Sequence, residues 1–311
     1  MMDFTTKKIA LYKVRNFSEK FDDTFAFVRE NWKVLFKYLT YLLLPVCLFQ
    51  AVALDGYMDH AFNMSSVGNK SSDLSGVLQS LGWSYGGIIL CSLIGTMLLV
   101  SVVYGLMSIY DRSDDRLVGL TGNDFKPVLL KNLKRSGLAF VFFIVLMLLF
   151  MVLSAILVYL FTPLVALLIF IAVMVIAIPI MLFMPTYLLE DISLTAALSK
   201  SLRLGFSTWW STFALIIVLG FIVSFIQGVF AIPYYILVVV KTILGQTGNS
   251  NEIFDSVGYS FAVYLFAVLQ SYATYLLTSI LAVGVALQYG HASEKLDHVT
   301  MDDSINHFEE L

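Results

Sequence analysis

Charge is what this sequence has least of. Asp, Glu, Lys and Arg make up 13% of its 311 residues and 59% are apolar, whereas roughly a quarter of an ordinary soluble domain is charged. With a mean hydropathy of +0.85, a water-soluble globule of this length is excluded, because it could not hide so much apolar surface.

Other absences narrow the chemistry. Only two cysteines occur, Cys47 and Cys91. Both fall in apolar stretches where a free thiol acts as a small hydrophobe, so a disulfide between them is not expected. The four histidines, His60, His291, His298 and His307, form no His-Glu-x-x-His helix, and no paired-cysteine spacing exists; the usual zinc sites are missing. No phosphate-binding glycine loop and no Gly-x-Ser-x-Gly elbow is present. Asp124, Glu190 and Asp191 are candidate acids, but beside helix N-termini they read as caps or dipole partners. No enzymatic activity, cofactor or metal is expected.

What is abundant is uncharged length. The stretches 38–54, 83–110, 137–189, 204–240 and 256–293 lack Asp, Glu, Lys and Arg altogether. Runs of about 18 residues can cross a hydrocarbon core. The stretch 137–189 is too long for one crossing, and Thr162-Pro163 offers a turn within it. Six helices follow, near 34–54, 83–109, 138–161, 164–188, 209–240 and 258–289. Beyond Lys37 in the first turn of the first, none carries Asp, Glu, Lys, Arg or His, which argues against proton relays, carboxylate-coupled transport, voltage sensing and intramembrane proteolysis.

Lys and Arg fix the expected orientation, because they are retained near helix ends in the cytoplasm. Residues 1–37 hold eight, 110–136 six, 187–207 two and the C-terminal segment one; the alternate loops hold only Lys70 and Lys241. Both termini are therefore expected in the cytoplasm, with the chain in the cell membrane. No cleavable leader is expected, since the first apolar stretch begins too late.

Three amphipathic segments recur, each before a pair of crossings. The first, near 17–31, aligns Phe17, Phe21, Phe25, Val28 and Trp32 on one stripe, opposite Glu19, Lys20, Asp22, Asp23 and Arg29. The second, near 124–135, sets Phe125, Val128, Leu129 and Leu133 against Lys126, Lys131, Lys134 and Arg135. The third follows Asp191 or Ser193 as N-cap, sets Leu194, Ala197, Leu198 and Leu202 against Ser199, Lys200 and Arg203, and is expected to stop at Gly205. The fold class is thus an all-α membrane protein, six crossings arranged as three hairpins, each preceded by a cytoplasmic amphipathic helix. Residues 1–33 are a cytoplasmic N-terminal segment, 34–290 the membrane domain, and 291–311 an acidic cytoplasmic tail. Within the membrane domain, 55–82 reads as an outer loop, and 110–137 and 189–208 as cytoplasmic loops. The outer loop carries two glycosylation patterns, at Asn63 and Asn69.

Two sets of candidate residues emerge. Lys126, Lys131, Lys134, Arg135, Lys200 and Arg203 could meet anionic lipid headgroups. Gln227 and Gln270 could line a polar cavity within the bilayer. Small residues repeat every fourth position at Gly87, Cys91 and Gly95, and at Thr274, Thr278, Ala282, Ala286 and Gly290, a spacing that permits close helix packing within a bundle or a homo-oligomer. Trp32, Trp83, Trp209 and Trp210 read as interfacial anchors.

Pro185-Thr-Tyr-Leu-Leu-Glu190-Asp-Ile-Ser193, then Ala197-Leu198-Ser199-Lys200-Ser201, then Leu204 and Trp209-Trp210 through Phe213 resemble a pattern in bacterial multi-helix membrane proteins. That group includes the membrane domain fused to glycerophosphodiester phosphodiesterases. The resemblance covers about 30 residues and implies a helical membrane domain without a catalytic barrel. The expected function is a non-enzymatic membrane protein that binds lipids or protein partners at the cytoplasmic interface, with no role for nucleic acid. The alternative is a transporter or permease for an apolar or lipid-like solute.

Overall fold

A chain with long apolar runs must satisfy its backbone hydrogen bonds internally, and helix is the solution that needs no partner strand. The computed structural model describes residues 8–66, 74–160, 163–246 and 256–299. Of these, 90% are helical, and no strand occurs among them. The elements are α1 (Phe17–Ser66), α2 (Leu74–Arg112), α3 (Gly122–Leu160), α4 (Pro163–Met181), α5 (Phe183–Glu190), α6 (Leu194–Ser207), α7 (Trp209–Gln246) and α8 (Val257–Asp297). Six stretches are long and apolar enough to cross a membrane: Phe17–Gly56, Gly82–Arg112, Gly122–Leu160, Leu164–Glu190, Trp209–Ile243 and Val257–Asp297. The described residues of α3 stop at Leu160 and those of α4 start at Pro163, so the turn expected at Thr162 lies outside the described residues.

The helices overrun the apolar runs, and several expected boundaries move. Residues 55–66 and 74–82 of the expected outer loop are helical, since nothing in them stops α1 or delays α2. The side chain of Asn63 and the whole of Asn69 lie outside the described residues. The first two amphipathic segments are not separate helices. They are the N-terminal turns of α1 and α3, each opened by a reciprocal cap. Asn16 Oδ1 accepts from Glu19 N–H at 2.9 Å while Glu19 accepts from Asn16 N–H at 2.9 Å. Thr121 Oγ1 accepts from Asp124 N–H at 3.4 Å, and Asp124 accepts from Thr121 N–H at 3.3 Å. Only α6 is a free-standing amphipathic helix, capped by Ser193 rather than Asp191.

Gly205 does not end α6, which continues to Ser207. A Cβ there would come within 2.4 Å of Pro179 Cα, so this glycine exists for the close approach of α4 and α6. The proline has a second consequence. It lacks the N–H that would bond the Val175 carbonyl one turn earlier, and the indole of Trp209 donates to that carbonyl instead, at 2.9 Å.

Two compact units divide the chain. The first comprises Met1–Leu35, Val100–Gly220 and Ser279–Leu311; the second Phe36–Leu99 and Phe221–Thr278. In the second, helices meet over small residues. A Cβ on Gly87 would touch Ala53, and one on Gly95 would collide with the Tyr275 ring. Tyr275 also donates to Gln50 Oε1 at 2.7 Å. In the first unit, Ser101 and Ser136 share a buried hydrogen bond of 2.9 Å, and Gln288 donates to Thr212 Oγ1 at 2.8 Å. The expected tail begins too early at 291, because α8 runs to Asp297 and buries His291, Ala292 and Ser293.

Amphipathicity in α1 is inverted with respect to a soluble protein. Phe17, Phe25 and Trp32 stand exposed, whereas Lys20, Thr24, Phe27 and Asn31 are buried. In lipid the apolar stripe can face outward, and polar groups gain by turning toward one another.

Candidate headgroup-binding surface

The six candidate cations all belong to the first unit, on α3 and α6. The acidic turn between α5 and α6 organises three of them, Lys131, Arg135 and Lys200. Asp191 takes up a left-handed conformation, φ 60°, as the C-cap of α5, which turns its carboxylate back toward α3. There it pairs with Lys131 and, at 2.8 Å, with Arg135. Arg135 also donates to the carbonyls of Tyr187 and Ile192 at 2.6 and 2.7 Å and lies over the Tyr187 ring at 4.0 Å. The guanidinium is thereby fixed in place by the turn it neutralises.

Glu190 faces the other way. It accepts from Lys200 at 2.6 Å and from the Tyr289 hydroxyl. Asp297, in the last turn of α8, closes the cluster with Lys200 at 3.3 Å and Arg203 at 2.7 Å. The hydrogen bond from Lys131 holds the Asp191 carboxyl below the usual carboxylate range, against a smaller opposing effect of burial, with the charges of Arg135 and Lys131 adding to it.

Lys131, Arg135, Lys200 and Arg203 therefore have intramolecular counter-ions. Lys126 and Lys134 do not: both are exposed on α3, and neither lies within 4 Å of a carboxylate among the described residues. Eight residues apart, they share one side of the helix, with exposed Leu130 between them. Sequence pattern alone treats all six as equivalent, because an ion pair across 60 positions, such as Lys131 with Asp191, leaves no periodic trace.

In the second unit, Gln227 donates to the Thr274 carbonyl at 3.1 Å and to Thr278 Oγ1 at 3.2 Å, so it ties α7 to α8. The side-chain Oε1 of Gln270 is buried with no hydrogen-bond partner among the described residues. Among the described residues no group of three or more His, Cys, Asp or Glu could hold a metal ion. No family model matches the chain, and neither a curated protein nor a solved structure matches it.

Proposed function

We propose that this is a non-enzymatic multi-pass protein of the cell membrane that binds anionic lipid headgroups at its cytoplasmic face, with both termini in the cytoplasm. The observation that carries the reading is the pair Lys126 and Lys134, the two exposed cations of the candidate set without an intramolecular counter-ion. Cations at the membrane boundary with no carboxylate of their own are placed to meet lipid phosphate, at roughly 1 kcal/mol each. The seventeen-to-two distribution of Lys and Arg supports the orientation. The three-hairpin arrangement and the likeness to phosphodiesterase-associated membrane domains belong to the same proposal; protein partners or a second copy would compete for this face.

The test is retention of phosphatidylglycerol by the purified chain, measured by native mass spectrometry. Lys126→Gln with Lys134→Gln should lower retention relative to phosphatidylcholine; unchanged retention sinks the reading. Substituting Lys131, Arg135 or Arg203 would be a poorer test, because it also breaks the ion pairs that hold α3, α5 and α6. The transporter alternative draws support from the unpartnered Gln270 oxygen, while the engagement of Gln227 with α8 weakens it.

A further inference from the structure

The joint between α6 and α7 and the last turns of α8 enclose an open cleft of about 560 Å³ in the first unit, within the size range of ordinary ligand sites. Val175, Phe206, Trp209 and Trp210 form its apolar wall, and Ser211, His291 and Lys295 bring polar groups to it.

Lys20 lies behind Ser211. It is only 2% exposed, and its ammonium donates to Ser211 Oγ. The acids near it in sequence are engaged elsewhere. Asp23 is held by Arg15 at 2.7 Å, the Glu19 carboxylate by Lys13 and the Asn16 N–H, and Asp22 accepts from the Ser18 hydroxyl at 3.3 Å. Instead of an acid, Lys295 and Arg15 present like charge to it. Among the described residues its ammonium has one neutral acceptor and no carboxylate within ion-pair distance, an arrangement that is costly for a buried charge.

The donors point to what is missing. His291 is 94% buried, taking its 6% exposure as the remainder, and its Nδ1 accepts the Arg15 N–H at 2.9 Å. The ring proton is therefore on Nε2, which has no protein acceptor among the described residues. Ser211 accepts from Lys20, which leaves its own hydroxyl proton to donate. Lys295 is exposed and forms no ion pair among the described residues.

We propose that this cleft binds a phosphate-class anion, its charge compensating Lys20 and Lys295 and its oxygens accepting from His291 Nε2–H and the Ser211 hydroxyl. Two neutral donors and two cations around one cleft suit a tetrahedral phosphate, with its several oxygens and higher charge, better than a planar carboxylate. The apolar wall leaves room for the glycerol and upper acyl chains of a phospholipid, so the anion is either a headgroup or free phosphate. The proposal deepens the headgroup reading at a site separate from Lys126 and Lys134.

The experiment uses the full chain in phosphatidylcholine nanodiscs. One arm adds inorganic phosphate, the other includes phosphatidylglycerol, and both follow the fluorescence of Trp209 and Trp210 in a full chain carrying Trp32→Phe and Trp83→Phe, which removes the other two tryptophans. A saturable change with phosphate alone assigns the free anion; a change only with phosphatidylglycerol assigns the lipid. In either case Ser211→Ala with Lys295→Gln should weaken binding about tenfold, the scale of one lost charge-assisted hydrogen bond. Lys20→Met should bind as weakly and, freed of a buried charge, should fold without added anion. No saturable change in either arm, or wild-type binding by the variants, overturns the proposal. Lys126→Gln with Lys134→Gln should leave the cleft response intact, so failure here and failure of the headgroup reading are separable.

Discussion

At the scale of single residues, charge in this protein is managed by pairing more than by exposure, and Asp191 shows how. Its carboxylate joins α3 to the turn before α6 through Lys131 and Arg135. Because its folded-state value lies below that of the unfolded chain, the ionised form is favoured by folding. The stabilisation is fully present above the unfolded value of about 3.9 and is lost as pH falls through the lower folded value. The thermal midpoint of the wild-type chain in detergent should therefore fall more steeply below about pH 4 than that of Asp191→Asn, which should start lower at neutral pH by no more than about 1 kcal/mol, since the pair is half exposed. Parallel pH profiles would show that the pair contributes nothing. That Asp191 would be acidic, turned and close to α6 was legible from Glu190-Asp-Ile-Ser193; its partners on α3 were not. Lys20 was legible only in the wrong sense. Beside Glu19, Asp22 and Asp23 it reads as part of a solvated face, but in a membrane protein the apolar stripe and the polar stripe can exchange places, and periodicity carries no sign.

At the scale of elements, the apolar runs located all six stretches long and apolar enough to cross a membrane, because hydrocarbon thickness sets a minimum length that few other constraints imitate. They did not locate helix ends. Backbone hydrogen bonding continues until a cap or breaker stops it, so α1 absorbs the first amphipathic segment and α3 the second. The signals that could have marked those starts, Asn16-x-x-Glu19 and Thr121-x-x-Asp124, are capping boxes. Gly205 was misread for a related reason: the same residue serves a helix stop or a close crossing, and only the neighbour decides. Since a methyl group there would meet Pro179 Cα at 2.4 Å, Gly205→Ala should separate α4 from α6 and cost about 1–3 kcal/mol. Gly122→Ala is the control, because its Cβ would meet nothing within 4 Å and alanine favours helix. A chemical-denaturation midpoint in detergent would separate the two. Equal midpoints would mean that the α4–α6 contact yields without loss.

At the scale of the whole molecule, the exposed surface decides the environment. Leu146, Met147, Leu148, Leu149, Phe150 and Met151 follow one another along α3, all exposed, and successive residues point around the full circumference of a helix. Water would penalise such a surface on every side, whereas lipid does not. Orientation is a separate matter, set by where cations accumulate, and it can be tested on α2. Gly82 and Asp114 lie at the two ends of its apolar stretch, Gly82–Arg112, and both are exposed. If α2 crosses the membrane with the cation-rich side in the cytoplasm, a cysteine at 82 should react with a membrane-impermeant maleimide added to intact cells, and one at 114 only after permeabilisation. Cys47 and Cys91 would first be replaced by alanine, so that each variant carries one thiol. The reverse pattern would invert the topology and move the Lys126 and Lys134 surface outside, where a headgroup-binding role would face the other leaflet. Labelling of both positions in intact cells would mean that α2 does not separate the two compartments at all, and the membrane-crossing assignment of Gly82–Arg112 would fall with it.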